Sequence, residues 1–188
     1  MTGMPAVEGV QLRTLHPFDQ LAALEGRLQR ALAPGHSGLG DVVLSGLTFR
    51  VGHWHLAVPM QSLTEILRPV AVTRVPGAKP WFRGIMNLRG TLLSVTDLGL
   101  YAGVEAVGAS RGKRILVLHG DAWSAGLEVH EVFGLRSFHD GERVAAPPAT
   151  GTPLDDYRID AFRAEGEVWL VLDPTRLLSD SRFRAAAA

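Results

Sequence analysis

Residues 65–98 read EILRPVAVTRVPGAKPWFRGIMNLRGTLLSVTDL, and this stretch decides the fold that we expect for the chain. Its second half holds two largely apolar runs, 85–88 and 92–96, on either side of Arg89-Gly90. Glycine adopts positive φ at little cost, which allows a tight turn between two strands. The stretch therefore predicts a β-hairpin, followed by a short helix over 97–101.

Three further hairpins are predicted by the alternation of apolar and polar residues along the chain. They cover 47–58 with a turn at Gly52, 113–129 with a turn at Gly120-Asp121, and 157–173 with a turn at Gly166. The glycine-rich stretch 103–112 divides the strands into two sets. Many short strands joined by glycine turns indicate an all-β barrel or sandwich, with no evident sequence repeat.

Helical patterns are confined to the N-terminus and to short segments elsewhere. An amphipathic N-terminal helix is predicted, because apolar residues recur there at steps of three and four residues: Phe18, Leu21, Leu24, Leu28 and Leu32. We expect residues 1–36 to form a tail and this helix, and residues 43–184 to form the main domain. The helix either packs on that domain or binds a partner. Further short helices are predicted near 61–66 and after Pro174.

The composition excludes several classes of function. The chain has 188 residues and no cysteine, so disulfides and thiolate metal sites are absent, and a cytoplasmic location is expected. Its 19 basic residues balance 19 acidic ones, which disfavours nucleic acid as a partner. The N-terminus lacks an apolar signal core, and we expect no direct membrane insertion because no apolar run approaches the ~18 residues of a spanning helix.

The ordered motifs of residues 65–98 resemble the signature of CheW-like domains. They comprise an E-I pair, a V-P turn, G-x-x-N-L-R-G and V-x-D-L, and the later segments GKRILVL, GLEVHEVFGL and VWLVLDPTRLL are similar to the same family. The resemblance covers about residues 43–184. It implies two intertwined five-stranded SH3-like β-barrels packed on each other, with the predicted amphipathic helix before them and a short helix after them.

The resemblance also implies a function without catalysis, cofactor or metal. Family members are adaptors that bind the regulatory domain of a CheA-type histidine kinase and the cytoplasmic tip of a chemoreceptor, which lies in a groove between the barrels. We therefore expect a cytoplasmic protein that is recruited to membrane receptor arrays. The predicted N-terminal helix and the sequence LAVPMQSLTEIL most resemble the adaptors of type IV pilus chemosensory systems, which control twitching motility.

Three residues are carried over from the family's motifs as receptor-binding residues: Leu63, Glu65 and Arg89. Leu63 and Glu65 are two residues apart, so in an extended segment they share a face, and Gly90 closes a turn that points Arg89 outward. Each has a structural alternative: Leu63 as core, Glu65 as a solvated acid, and Arg89 as an intramolecular tie between the barrels.

Two further residues are weaker candidates for the interface. Trp81 follows Pro80 at a turn and is the best candidate for a partly exposed interface aromatic. Asn87 more readily satisfies backbone groups of its own turn. The chain departs from the common pattern at Ser94, where the family has proline, and at His130, where it has an acid, so kinase contacts near His130 are not carried over.

Other kinds of chemistry have less support. Residues 108–112 match G-x-S-x-G, which raises a small hydrolase with Ser110 as nucleophile, but the strand and helix that must flank such a serine are in the wrong places. His53 and His55 could share a face of a strand, although no third metal ligand is evident nearby. A generic protein-binding β-domain remains the other alternative.

Overall fold

Ten strands make up most of the computed structural model, which describes residues 40–104, 112–120, 123–145 and 147–186. The strands are β1 (Val42–Val51), β2 (Trp54–Pro59), β3 (Leu63–Leu67), β4 (Phe82–Leu88), β5 (Thr91–Asp97), β6 (Arg114–His119), β7 (Ser124–Val129), β8 (Glu131–His139), β9 (Arg158–Ala164) and β10 (Glu167–Leu172). The α-helices are α1 (Leu98–Ala102), α2 (Pro174–Ser179) and α3 (Ser181–Arg184), and single 3₁₀ segments cover Met60–Ser62, Asp140–Glu142 and Pro153–Tyr157. All four predicted hairpins are present.

The strands form two five-stranded sheets that we call barrel A, with the order β8-β1-β2-β10-β9, and barrel B, with the order β3-β6-β7-β5-β4. Barrel A combines strands from both ends of the chain, whereas barrel B comes from its middle. Strand β3 follows β2 of barrel A but pairs with β6 of barrel B, and β8 follows β7 of barrel B but pairs with β1 of barrel A. The barrels are therefore intertwined, as the family resemblance implied.

The two barrels are copies of one topology. Each strand of barrel A corresponds to the strand five places away in barrel B, and both sheets contain one parallel pair, β2 with β10 and β5 with β7. The turn β4–β5 has positive φ at Arg89 and Gly90, and the turn β9–β10 has positive φ at Glu165 and Gly166. Two positive φ values favour a two-residue hairpin whose twist matches that of its strands. The fold thus contains an internal repeat that the sequence did not reveal.

Three apolar clusters hold this arrangement together. The largest lies between the barrels and contains buried side chains from both sheets, including Phe49 of β1 and Leu116 of β6. A second cluster around Phe138 and Phe162 fills barrel A, and a third around Val95 and Ile115 fills barrel B. Each central strand is buried on both faces, so its alternate residues supply two different cores.

The predicted helix near 61–66 is wrong. Only Met60–Ser62 is helical, as one 3₁₀ turn, and Leu63–Leu67 is strand β3 paired with β6. The β-branched Thr64 and Ile66 favour a strand, and Pro69 restricts the backbone of the residue before it to extended conformations. The predicted helix after Asp97 and the helix after Pro174 are confirmed as α1 and α2. The prediction for residues 1–36 lies outside the described residues.

Gly84 provides a test of how barrel B closes. Thr73 and Ile85 exchange two backbone hydrogen bonds of 2.8 and 2.9 Å, and Gly84 (φ 137°) lets these segments meet, because a Cβ there would overlap the carbonyl of Thr73. We expect Gly84→Ala to lower the free energy of unfolding by about 3 kcal/mol or more. The control is Gly90→Ala, which has positive φ but open space and should lose about 1 kcal/mol. Equal losses in urea denaturation would contradict the close approach.

Candidate functional site

Arg89 and Glu65 form an ion pair across the open end of barrel B. The guanidinium Nη2 of Arg89 donates to Glu65 Oε2 at 3.0 Å. Strand β3, which carries Glu65, and the β4–β5 hairpin, which carries Arg89, come from opposite edges of the sheet, so the pair spans the gap between those edges. The side chain of Arg89 is 81% exposed and that of Glu65 is 20% exposed. An exposed pair contributes only about 0–1 kcal/mol to stability, which leaves the guanidinium accessible to a partner.

Leu63 lies on the other face of the same strand, contrary to the prediction that it shares a face with Glu65. A register shift separates the two residues: Leu63 pairs with Leu118, and Glu65 pairs with the adjacent Val117. Such a β-bulge inserts one residue, here Thr64, and reverses the alternation of side chains. Leu63 therefore packs against the core between the barrels, whereas Val117, opposite Glu65, belongs to the interior of barrel B.

A groove of about 320 Å³ lies between the barrels next to Leu63. Its lining comes from the end of β2 and the 3₁₀ turn after it, from the end of β6, from β9, and from the start of α2: Pro59, Gln61, Ser62, His119, Gly120, Ile159, Asp173, Pro174 and Thr175. Ile159 offers a half-exposed apolar surface. Among the described residues, no arginine lines this groove. Leu63 thus adjoins the groove through Ser62, while Arg89 and Glu65 form a separate surface. The three predicted receptor-binding residues are therefore not brought together in this groove.

Asn87 and Trp81 have local structural roles. Asn87 Oδ1 accepts a hydrogen bond of 2.7 Å from the backbone N–H of Gly90, so it closes the hairpin turn as predicted. Trp81 is half-buried and packs against the core between the barrels, with its ring 5.3 Å from Tyr101 and 6.1 Å from Phe183. The contacts that the structure shows for both residues are therefore internal to the fold.

The aspartate of the V-x-D-L motif begins a helix and lies in a buried charge cluster. Asp97 Oδ1 accepts from the N–H of Leu100, which caps α1. Its other oxygen lies 3.6 Å from Lys113 Nζ, which donates to Glu128 Oε1 at 2.7 Å. Arg83 lies 3.8 Å from the second oxygen of Glu128. The two buried carboxylates are therefore paired, as buried charges must be.

His130 is a buried histidine to which the sequence assigned no role. It is buried where the chain passes from β7 of barrel B to β8 of barrel A, and its Nδ1 accepts a 2.7 Å hydrogen bond from the backbone N–H of Gly52. Its Nε2 faces Gly99 of α1 so closely that a Cβ there would clash. Burial lowers the pKa of His130, and the nearby Asp97 opposes that shift. The sequence did mark this position, because His130 stands where members of the resembled family commonly have an acidic residue.

The structure shows no metal site in the part of the chain that it describes. No group of three or more His, Cys, Asp or Glu side chains there could hold a metal ion. His53 lies exposed in the β1–β2 turn, and His55 lies 3.3 Å from Glu167. Ser110 lies outside the described residues. Within residues 40–104, 112–120, 123–145 and 147–186, no helix is long and apolar enough to cross a membrane.

Comparison with known proteins gives a consistent result. The family model for the CheW-like domain matches residues 45–182. Protein PilI of Pseudomonas aeruginosa is 34% identical over 170 residues, which cover 89% of this chain and 94% of that protein. Protein FrzA of Myxococcus xanthus is 28% identical over 141 residues, which cover 74% of this chain and 88% of that protein.

A solved structure has the same fold. The crystal structure of the scaffolding protein TtCheW from Thermoanaerobacter tengcongensis superposes with a TM-score of 0.64. The match covers 73% of this chain and 94% of that one, at 20% sequence identity. The likeness at this identity concerns the fold, and it confirms the expected pair of five-stranded barrels.

The buried His130 predicts an acid-sensitive fold. Because its pKa is lowered in the folded state, the unfolded chain binds the proton first as the pH falls below about 6.5, and stability is lost by up to about 1.4 kcal/mol per pH unit. His130→Asn keeps an acceptor for the N–H of Gly52 and removes the titration. We expect the free energy of unfolding to fall more steeply in the wild type than in this variant between pH 7.5 and 5.5. A constant difference across that range would contradict the prediction.

Proposed function

The chain belongs to the family of CheW-like domains, whose members are non-catalytic scaffolds of chemosensory systems, and on that premise we propose that it couples a chemoreceptor to a CheA-type histidine kinase. The chain would bind the cytoplasmic tip of the receptor and the regulatory domain of the kinase at the same time. The accessible guanidinium of Arg89 beside the bulged strand β3 is the observation that carries the proposal.

The receptor surface that we propose has two separate parts, which strand β3 connects. The first is the groove between the barrels next to Leu63, where an amphipathic helix could bury apolar side chains against Pro59 and Ile159. The second is the ion pair of Arg89 with Glu65 at the open end of barrel B. Only Nη2 of Arg89 bonds to Glu65, so its other N–H groups can reach carboxylates or carbonyls of a helical hairpin.

The bulge at Thr64 lets a single short strand serve both parts. It turns Leu63 toward the core between the barrels and Glu65 toward Arg89. A regular strand would bring both side chains to one face, so Leu63 could not pack against the core between the barrels while Glu65 pairs with Arg89. Leu63 and Glu65 therefore have different roles on opposite faces of β3: Leu63 packs between the barrels, and Glu65 holds Arg89.

The pilus assignment rests on the comparison with PilI. That protein aligns with 89% of this chain, including residues that precede the CheW-like domain. We therefore propose output to type IV pilus motility and recruitment to receptor arrays at the membrane. The alternative of a hydrolase with Ser110 is dropped because the family is non-catalytic. A β-domain that binds some unrelated protein is the remaining alternative, and a test with the kinase separates the two.

Arg89→Ala tests the receptor surface. We expect its free energy of binding to the cytoplasmic helical hairpin of a chemoreceptor to weaken by about 2 kcal/mol, as is typical of an interface arginine. Its free energy of unfolding should change by less than about 1 kcal/mol, because the ion pair is exposed. The control is Arg163→Ala, which removes another exposed arginine from barrel A. Isothermal titration would contradict the role of Arg89 if both variants bound like the wild type.

The double substitution Glu65→Arg with Arg89→Glu separates a contact with the receptor from an internal tie. The exchanged pair can still bridge the open end of barrel B, so a purely internal role predicts that the double variant binds like the wild type. Direct contact of the guanidinium predicts that it binds no better than Arg89→Ala. The same titration, with urea denaturation to confirm folding, decides between these outcomes.

A further inference from the structure

A small cavity in barrel A lies between strands β2 and β10 and the segment 150–158, which leads into β9. Leucines of the two strands line one side, and Thr150, Thr152, Asp155 and Arg158 line the other, together with the indole of Trp54. The volume of the cavity is about 10 Å³. One water molecule needs roughly 10–15 Å³ of such space, so the cavity has room for a single small guest.

Two N–H donors of the lining residues are buried without a partner. They are Nε1 of Trp54 and Nη1 of Arg158, and neither has a hydrogen-bond partner among the described residues. The rest of the guanidinium is engaged, because Nε of Arg158 lies 3.3 Å from Asp155 Oδ1 and Nη2 donates to the carbonyl of Pro147 at 3.4 Å. Buried donors in folded proteins are almost always paired. The two donors therefore point to an acceptor within the cavity.

The polar groups on the side of the segment 150–158 are bonded to one another. Asp155 Oδ1 accepts from both the backbone N–H and the hydroxyl of Thr150 at 3.0 Å, and Asp155 Oδ2 accepts from the N–H of Gly151 at 2.9 Å. Because the Thr150 hydroxyl donates to Asp155, the Thr152 hydroxyl at 2.8 Å donates to Thr150. The Thr152 oxygen accepts from the N–H of Leu154 at 3.3 Å and keeps a second lone pair.

We propose that this cavity is a binding site for one water molecule, which joins β2 to the segment 150–158. The water oxygen accepts from Trp54 Nε1 and Arg158 Nη1, and one of its hydrogens goes to Thr152 Oγ1. Three hydrogen bonds are typical of a buried water. A chloride ion would also accept from both donors, but it is larger than a water molecule and would lie beside the carboxylate of Asp155.

The bound water would support one wall of the groove between the barrels. The segment that it holds contains Leu154 and Tyr157, which are buried in the core between the barrels. The carbonyl of Tyr157 accepts a 2.8 Å hydrogen bond from the N–H of Asp173, which caps α2 and lines the groove. This consequence rests on the proposed receptor surface, whereas the water site itself does not.

Rotating-frame NMR with selective excitation of water tests the site on the full chain. We expect a cross-peak between water and the indole Hε1 of Trp54, with the sign of a dipolar contact and not that of proton exchange. Trp54→Phe assigns the resonance, because the cross-peak is lost with the indole. Trp169 is the internal control, since its buried Nε1 already donates to the carbonyl of Ala164 at 3.4 Å. The proposal is overturned if the indole of Trp54 shows no more contact with water than that of Trp169.

A high-resolution crystal structure of the chain, with a second crystal soaked in sodium bromide, identifies the guest. We expect one water peak at about 3 Å from both Trp54 Nε1 and Arg158 Nη1, and no anomalous signal from bromide at that position. An anomalous peak there would identify a halide site, and a dry cavity would show that both donors stay unpaired. Either result overturns the proposal. Since receptor and kinase are absent from both experiments, failure here leaves the adaptor function untouched.

Discussion

The apolar core between the two barrels is the constraint on which the rest of the structure depends. Strands β3 and β8 each leave the barrel of the strand that precedes them and pair in the other one, so the chain crosses between the barrels twice. Phe49 and Leu116 are fully buried in the shared cluster, together with residues of all three α-helices. Because burial of such side chains is the main favourable term in folding, neither barrel can bury the apolar face that it contributes to the shared cluster without the other. A rigid pair of barrels follows, and with it a groove of fixed shape.

The repeat explains why the same local devices occur at two places. Asp97 caps α1 and Asp173 caps α2, each at the end of the strand that is parallel-paired in its barrel. The backbone N–H groups of these aspartates bond to the carbonyls of Trp81 and Tyr157, which also correspond. What differs between the copies is the charge at the hairpin turns. The architecture therefore supplies two similar barrel ends. The exposed residue at the hairpin turn is basic in one, Arg89, and acidic in the other, Glu165.

Most of the fold was predictable from the sequence, because glycine turns and alternating strands are local signals. The hairpin at Arg89-Gly90, the role of Asn87 and the helix after Asp97 were all predicted correctly. The bulge at Thr64 was not, since it depends on the register against β6. The helix predicted near 61–66 failed because the β-branched Thr64 and Ile66, with Pro69 after them, favour a strand there. The repeat was missed because only isolated residues recur at corresponding positions, such as Asp97 with Asp173 and Gly90 with Gly166. The pairing of Arg89 with Glu65 and of Arg136 with Glu165 required the strand order, which no spacing reveals.

The proposed function requires that this chain physically links a chemoreceptor to its kinase. The most direct measurement is co-sedimentation of a CheA-type kinase with vesicles that carry the receptor's cytoplasmic region, with and without the chain. We predict that the kinase sediments with the vesicles only when the chain is present, and that it returns to the supernatant when the chain's receptor surface is altered at Arg89. Equal sedimentation of the kinase in the presence and absence of the chain would contradict the claim.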